Sequence, residues 1–515
     1  MKIAVVGAGI SGMSAAYLLA QGGHQVTVYE KGDYLGGHTN TVDATFEGVG
    51  TVKADTGFLV YNEEKYPNLM RLFRELGIES ADSDVSFAYS LNARGSQDGA
   101  SQSSRGEVEW GSDGAKTVFA QLSNIFRPSF WRMLTDMARF HREGPLTMLE
   151  PEKYNAITIG EYLKMNNYSE AFKNYYLVPV MSALWSTSFS ATLDQFPILT
   201  LARFFANHDM FRIFGRPQWK TVRGGSYLYM ERLRERIVAY EGCEVRLCQE
   251  VNSVMRTDDY VDITVTDSPT PERYDYVVMA CHPPEALSIV DAITKNEHDV
   301  LSLFEYTPHT VYLHSDARLM PKRRAIWASW NYLYDDASST ENAVCVTYWI
   351  NRIQPWLDAT TTPLYVTLNP IVQPAPELVH KVIHYEHPLF TSQNENNRQL
   401  LASIQGVRRT FYCGAYSGFG FHEDGITSGL LAAQGVDPAL TDIWKVDVSR
   451  YDAVPTSSAS LVPLASSKPQ PQPGAGTGNK WLSLAGFTFI CGMLVFKKDL
   501  SFLSGWLDKF DKMLY

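Results

Sequence analysis

KIAVVGAGISGMSAAYLLAQGGHQVTVYE, residues Lys2 to Glu30, is the stretch that decides the fold. Lys2 to Val6 is a short β-branched apolar run, the pattern of a parallel strand buried on both faces. Gly7-Ala8-Gly9-Ile10-Ser11-Gly12 follows at once. Met13 to Gln21 then reads as a small, apolar helix that Gly22 and Gly23 stop. Val26, Val28 and Tyr29 make a second strand, and Glu30 ends it. The spacing gives each glycine a task. Gly7 permits the tight turn, Gly9 lets backbone approach phosphates, and Gly12 lets the helix pack closely on the strand. The helix N-terminus, with its free N–H groups and partial positive charge, then faces a diphosphate. A GxGxxG alone is a weak signal. Here a strand precedes it, a helix follows, and an acid stands 18 residues after Gly12, where a carboxylate accepts hydrogen bonds from ribose hydroxyls. Ile10, Ser11 and Lys31 join the candidate contacts by position.

The chain has 515 residues, which predicts more than one domain. Its 45% hydrophobic and 20% charged residues are ordinary for a folded protein. The 28 Tyr and 25 Phe suit either a large apolar cleft or a well-packed core. A net charge of -11 without a long basic run argues against nucleic acid as a partner. Six cysteines, at 243, 248, 281, 345, 413 and 491, form no CxxC pair. They read as reduced thiols in a reducing compartment. Lys2 before an apolar stretch has the outline of a signal peptide, but the three glycines fit a phosphate turn instead.

Further along, Tyr66 to Gly77 predicts a helix with Leu69, Leu72, Phe73 and Leu76 on one face. Leu91 to Asp113 reads as a loop or loose hairpin, and Phe119 to Thr200 as mostly helical. Strands are expected at Glu244 to Glu250, Val261 to Thr266, Tyr274 to Ala280 and Phe411 to Gly414. Thr310 to Thr367 alternates as a sheet does, and Gly425 to Gln434 reads as a helix.

A second glycine pair, in Gly36-Gly37-His38, follows Glu30 after five intervening residues. With Asp55-Thr56-Gly57-Phe58, Glu250-Val251, Tyr274 to Pro283, Tyr412 to Ala415 and the HEDGITSG block from His422 to Gly429, it resembles the flavin-containing amine oxidase superfamily, which includes protoporphyrinogen oxidases and phytoene-type desaturases. The resemblance covers residues 1 to 450. It implies FAD, with Gly36, Gly37 and His38 near the diphosphate and ribityl chain. Most members carry Arg at the position of His38, so a direct arginine contact is absent. It also implies backbone of Thr56 and Gly57 near the flavin, Val251 at the adenine, and Gly414, Asp424, Gly425 and Ile426 around a helix whose N–H groups face the flavin. The HEDG block and the Gly224-Gly225-Ser226 turn resemble a subgroup of FAD-binding proteins found beside cyclopropane-fatty-acid-synthase-like methyltransferases.

The implied fold is α/β: a Rossmann-type FAD-binding domain from residues 1–90, 215–290 and 405–450, with an inserted α+β substrate domain from 91–214 and 291–404. The implied activity is oxidation or desaturation of a hydrophobic substrate, a lipid among the candidates, by hydride transfer to flavin. A flavin-dependent double-bond isomerase and a non-catalytic flavoprotein partner of a lipid methyltransferase remain as alternatives. The electron acceptor is not legible. His422 is the candidate catalytic group near the flavin ring. Lys220 resembles the lysine that some amine oxidases place near the flavin, although a solvated side chain is the plainer reading. His380, His384 and His387 fall at helical spacing without a carboxylate or cysteine in step, so no metal is expected. Residues 454–479, rich in Pro, Gly and Ser, read as a flexible linker. Beyond it, Trp481 to Phe496 is 16 residues without a charge, flanked by lysines, and 497–515 is amphipathic. That tail at 480–515 predicts a membrane contact with the catalytic body in a reducing compartment; a soluble cytoplasmic protein with the tail packed on the body is the alternative.

Overall fold

The computed structural model describes residues 1–91, 107–185, 193–212, 217–334, 345–389 and 400–449. Five strands from across that length, Glu244–Arg246, Gln25–Tyr29, Lys2–Val6, Tyr276–Met279 and Thr410–Tyr412, pair in that order. Every pairing is parallel. Ile3, Ala4, Val5, Val26, Val28, Val277 and Val278 are wholly buried, as a strand covered on both faces requires. The helix Ile10–Gln21 packs on this sheet, and the helix His422–Val436 packs against that helix. Small residues set their separation: a Cβ at Gly429 would stand 2.1 Å from the Ser11 carbonyl oxygen. An antiparallel sheet of three strands, Val251–Arg256, Val261–Val265 and Ser268–Tyr274, adjoins.

A second sheet has seven strands in the order Val379–Pro388, Tyr306–His314, Tyr365–Leu368, Cys345–Trp349, Trp330–Tyr334, Phe87–Leu91 and Val108–Gly111. It shares one apolar core with the helices Pro128–Glu143, Val178–Trp185 and Ile198–Asn207. The chain therefore enters this half at Phe87, before the expected boundary at 91. The helices Pro283–Ile289 and Lys295–Leu301 and the turn Leu401–Ile404 stay with the first half, because Ala286, Leu301 and Ile404 share a core with Val251 and Tyr412. The segment Leu91 to Asp113, expected as a loop or loose hairpin, contains a ladder strand, Val108–Gly111, paired antiparallel to Phe87–Leu91. The strand expected at Glu244 to Glu250 stops at Arg246, and Cys248 turns the chain with φ 53°. The linker and hydrophobic tail lie outside the described residues. Among the described residues, no helix is long and apolar enough to cross a membrane.

Candidate cofactor and substrate site

Between the two sheets lies a cavity of about 1520 Å³. A pocket for one small molecule occupies roughly 300–1,000 Å³, so this one has room for a cofactor and a second molecule. Gly7, Gly9, Ile10, Ser11, Glu30, Lys31, Gly36, Gly37, His38, Thr56, Gly57, Val251, Gly414 and His422 all line it. The remaining walls include Trp110, Val118, Leu134, Met137, Val180, Leu184, Phe204, Trp330 and Leu368.

The glycine turn fits a diphosphate. A Cβ on Gly9 would meet nothing within 4 Å, so the backbone there borders open cavity. A Cβ on Gly12 would stand 1.9 Å from the Gly7 carbonyl oxygen, so Gly12 serves helix packing and does not line the cavity. Three other expected contacts also lie off the lining. Asp424 is buried and accepts the Phe421 N–H at 2.9 Å, capping its helix. The Cα of Gly425 packs toward Ile10, where a Cβ would come within 2.7 Å of Cγ2. Ile426 is in the core beside Leu430.

Glu30 accepts the Ala8 N–H on Oε2 at 2.9 Å and the Gly32 N–H on Oε1 at 2.8 Å. Each oxygen keeps a lone pair for a ribose hydroxyl. Charge-assisted bonds of this kind contribute roughly 1.5–3 kcal/mol. A Glu30→Ala variant is expected to bind FAD about 10- to 100-fold more weakly, measured by fluorescence quenching on titration. Unchanged affinity would mean that the carboxylate serves only the turn. Lys31 is tied to Glu285 at the exposed rim.

His38 stacks on Tyr385 at 4.7 Å between centroids and leans on His387 at 5.1 Å. Burial, then the neighbouring His282 and His309, pull its pKa down to about 4. The position that carries arginine in most of the superfamily thus holds a neutral imidazole. Asp55 is wholly buried. Its carboxylate accepts from Thr41 Oγ1 at 2.5 Å, Ser226 N–H at 2.9 Å, Ser226 Oγ at 2.8 Å and Gln354 Nε2 at 3.0 Å. Burial pushes its pKa up to about 6, against the Thr41 and Ser226 hydrogen bonds that pull it down. Asp55 is therefore a clamp that joins Thr41, which opens the strand Thr41–Phe46, to the Gly224-Gly225-Ser226 turn and to Gln354.

His422 opens its helix and lies flat on Phe58, with ring centroids 3.8 Å apart and planes 11° apart. Its Nε2 is hydrogen-bonded to the Tyr229 hydroxyl. Burial, then His38, pull its pKa down to about 3, so the ring is neutral at neutral pH. Lys220 is paired with Asp82 at 2.6 Å and does not line the cavity. His380, His384 and His387 lie on the strand Val379–Pro388, not on a helix. The ladder to Tyr306–His314 overrides the helical spacing, and His380 meets Ser315 while His384 and His387 line the cavity. Among the described residues, no group of three potential ligands could hold a metal ion. Thr39, Asp55, Tyr229, Gln354 and Tyr385 were not legible as site residues. Asp55 alone carried a signal, since it begins the Asp55-Thr56-Gly57-Phe58 block.

A family model described as flavin containing amine oxidoreductase matches residues 10–311. The 15-cis-phytoene desaturase of Synechococcus elongatus is 39% identical over 79 residues, 15% of this chain and 16% of the desaturase. An L-amino-acid oxidase of Bothrops jararacussu is 51% identical over 47 residues, 9% of this chain and 10% of the oxidase. This chain thus aligns with only a small part of either curated relative. Among solved structures, the fatty acid isomerase from P. acnes has a TM-score of 0.57 at 16% identity, covering 85% of this chain and 98% of that one. Cyclohexylamine oxidase from Brevibacterium oxydans has a TM-score of 0.56 at 15% identity, with 85% and 99% covered. At such identities the likeness is one of fold.

Proposed function

The chain belongs to the flavin-containing amine oxidoreductase family, and from that premise we propose that it oxidises or desaturates a hydrophobic substrate, an acyl lipid among the candidates. Its cofactor is FAD. Flavin supplies the acceptor for a hydride taken from a substrate C–H bond. The chain's residues hold the cofactor, exclude water and orient that bond. Gly9 and the helix end behind it receive the diphosphate, Glu30 the ribose, and Val251 the adenine.

The observation that carries the hydrophobic class is the composition of the walls. Trp110, Val118, Leu134, Met137, Phe204, Trp330 and Leu368 surround the space beyond the nucleotide cradle. Lys31, already paired with Glu285, is the single lysine or arginine among the described lining residues. Among those described residues an anionic head group would find no free cation, whereas an apolar chain would meet apolar walls.

Anaerobic titration of the flavoprotein with a panel of acyl lipids, polyenes and amines tests the reading. Bleaching of the flavin by an apolar member is expected. Bleaching by primary amines alone would overturn the substrate class. Product isomers without bleaching would favour the isomerase, and inertness to all members would favour a non-catalytic partner of a lipid methyltransferase.

We also propose that the segment 480–515 brings this body to a membrane. Deleting residues 479–515 is expected to move the protein from the membrane pellet to the soluble fraction with FAD retained. Full-length protein that is soluble without detergent, or flavin lost on deletion, would reverse this reading.

A further inference from the structure

We infer that Tyr229 is a positioning residue, locking His422 as the Nδ1–H tautomer and so making it a hydrogen-bond donor to the cavity. This rests on the reading of His422 as the polar group beside the flavin. The geometry begins with Asp55, whose hydrogen bonds from Ser226 fix the start of the helix Tyr227–Val238. Tyr229 follows in the first turn of that helix and is wholly buried. Its hydroxyl is 2.6 Å from Thr39 Oγ1 and hydrogen-bonded to His422 Nε2. Phe58 holds the face of the ring. The other ring nitrogen, Nδ1, has no partner among the described residues and is the one left for the cavity that His422 lines.

The direction of the chain of hydrogen bonds follows from Thr39. This hydroxyl is buried, at 1% exposure, and among the described residues Tyr229 is its one partner. If Tyr229 donated to Thr39, the threonine proton would be buried without an acceptor, at a cost of about 1–3 kcal/mol. The satisfied arrangement has Thr39 donating to Tyr229 and Tyr229 donating to His422 Nε2. Nε2 then carries a lone pair, and the imidazole proton sits on Nδ1. A donor at that point suits an oxygen that gains negative charge, as a carbonyl of a reduced ring does. It does not suit a general base, whose lone pair would have to face the substrate.

The test is nitrogen NMR of the full-length FAD-loaded protein labelled at histidine. The His422 signals are assigned by their loss in His422→Gln. A protonated Nδ1 with an unprotonated Nε2 at neutral pH is the expected result. A proton on Nε2, or on both nitrogens, would overturn the inference. Tyr229→Phe is expected to give a mixture of tautomers while FAD affinity changes less than threefold. An unchanged single tautomer in that variant would remove Tyr229 from the role. Should the Phe variant not fold, the wild-type spectrum still decides. The spectrum needs no substrate, so it stands or falls separately from the titration of the flavin.

Discussion

A Gly9→Ala variant is expected to fold as the parent does and to purify colourless. The new methyl group would project into space that is open for 4 Å in the protein alone, so nothing in the fold resists it. That same space is where the backbone must come close to the diphosphate, and a methyl group there displaces the ligand. A loss of at least about 100-fold in FAD affinity corresponds to roughly 2.7 kcal/mol, modest for a steric clash with a charged group. Gly12→Ala should behave differently. Its Cβ would stand 1.9 Å from the Gly7 carbonyl oxygen, and backbone cannot yield as a flexible side chain can. This variant should lose flavin and also melt several degrees lower, since overpacking costs typically 1–3 kcal/mol. Absorbance of the purified proteins and thermal melts of the flavin-free forms separate the two effects. A yellow Gly9→Ala protein with parental affinity would mean that the diphosphate lies elsewhere.

Arg256→Met is expected to destabilise the protein by about 3–5 kcal/mol at neutral pH. Arg256 and Glu297 are paired with neither side chain exposed. Arg256 donates from Nη1 to Oε1 at 2.5 Å and from Nη2 to Oε2 at 3.1 Å, and also to Thr410 Oγ1 at 3.2 Å. Glu297 further accepts from the Thr294 N–H and the Tyr412 hydroxyl. The pair thus joins the strand Val251–Arg256, the helix Lys295–Leu301 and the strand Thr410–Tyr412. Burial alone would raise the Glu297 pKa, but Arg256 and the Thr294 hydrogen bonds carry it below the ordinary 4.5. Its contribution is therefore fully present above that ordinary value and is lost as pH falls through the depressed one. Without the guanidinium, burial wins and the sign reverses, so the variant should lose less stability in mild acid than at neutral pH. Denaturant unfolding at the two pH values measures both the size and the reversal. Equal losses at both would mean that the variant suffers from packing rather than from a stranded charge.

The nucleotide half was legible because its signals are local. The strand, the glycine turn, the helix and Glu30 lie within 30 consecutive residues, and each has a steric or electrostatic reason for its place. What was not legible depends on partners far away in sequence. Thr39, Tyr229 and His422 are separated by 190 and 193 positions, and none belongs to a pattern that single-sequence periodicity can detect. Asp55 stands out in sequence only through the backbone block it begins, whereas its side chain acts through Ser226 and Gln354. The three histidines at 380, 384 and 387 match a helical face by spacing alone. Their segment is extended because Tyr306–His314 offers it a ladder, with Ile383 and Tyr385 buried on alternate positions. Asp424, Gly425 and Ile426 belong to a glycine-rich block that reads the same in sequence whether it approaches a cofactor or a neighbouring helix.

The parallel sheet takes one strand from residues 2–6 and another from residues 410–412. Chains emerge from the ribosome at about 5–20 residues per second, so the first strand waits tens of seconds for the last. Loop closure over such separations slows folding, and the strand Tyr276–Met279 keeps one edge unpaired until Thr410–Tyr412 has been made. The helix that begins at His422 comes later still, and Gly429 must seat on Ser11 before the phosphate turn is braced. Cofactor loading is consequently a late event in the life of the chain, and the nascent protein depends on whatever shields that edge until the last strand has been made.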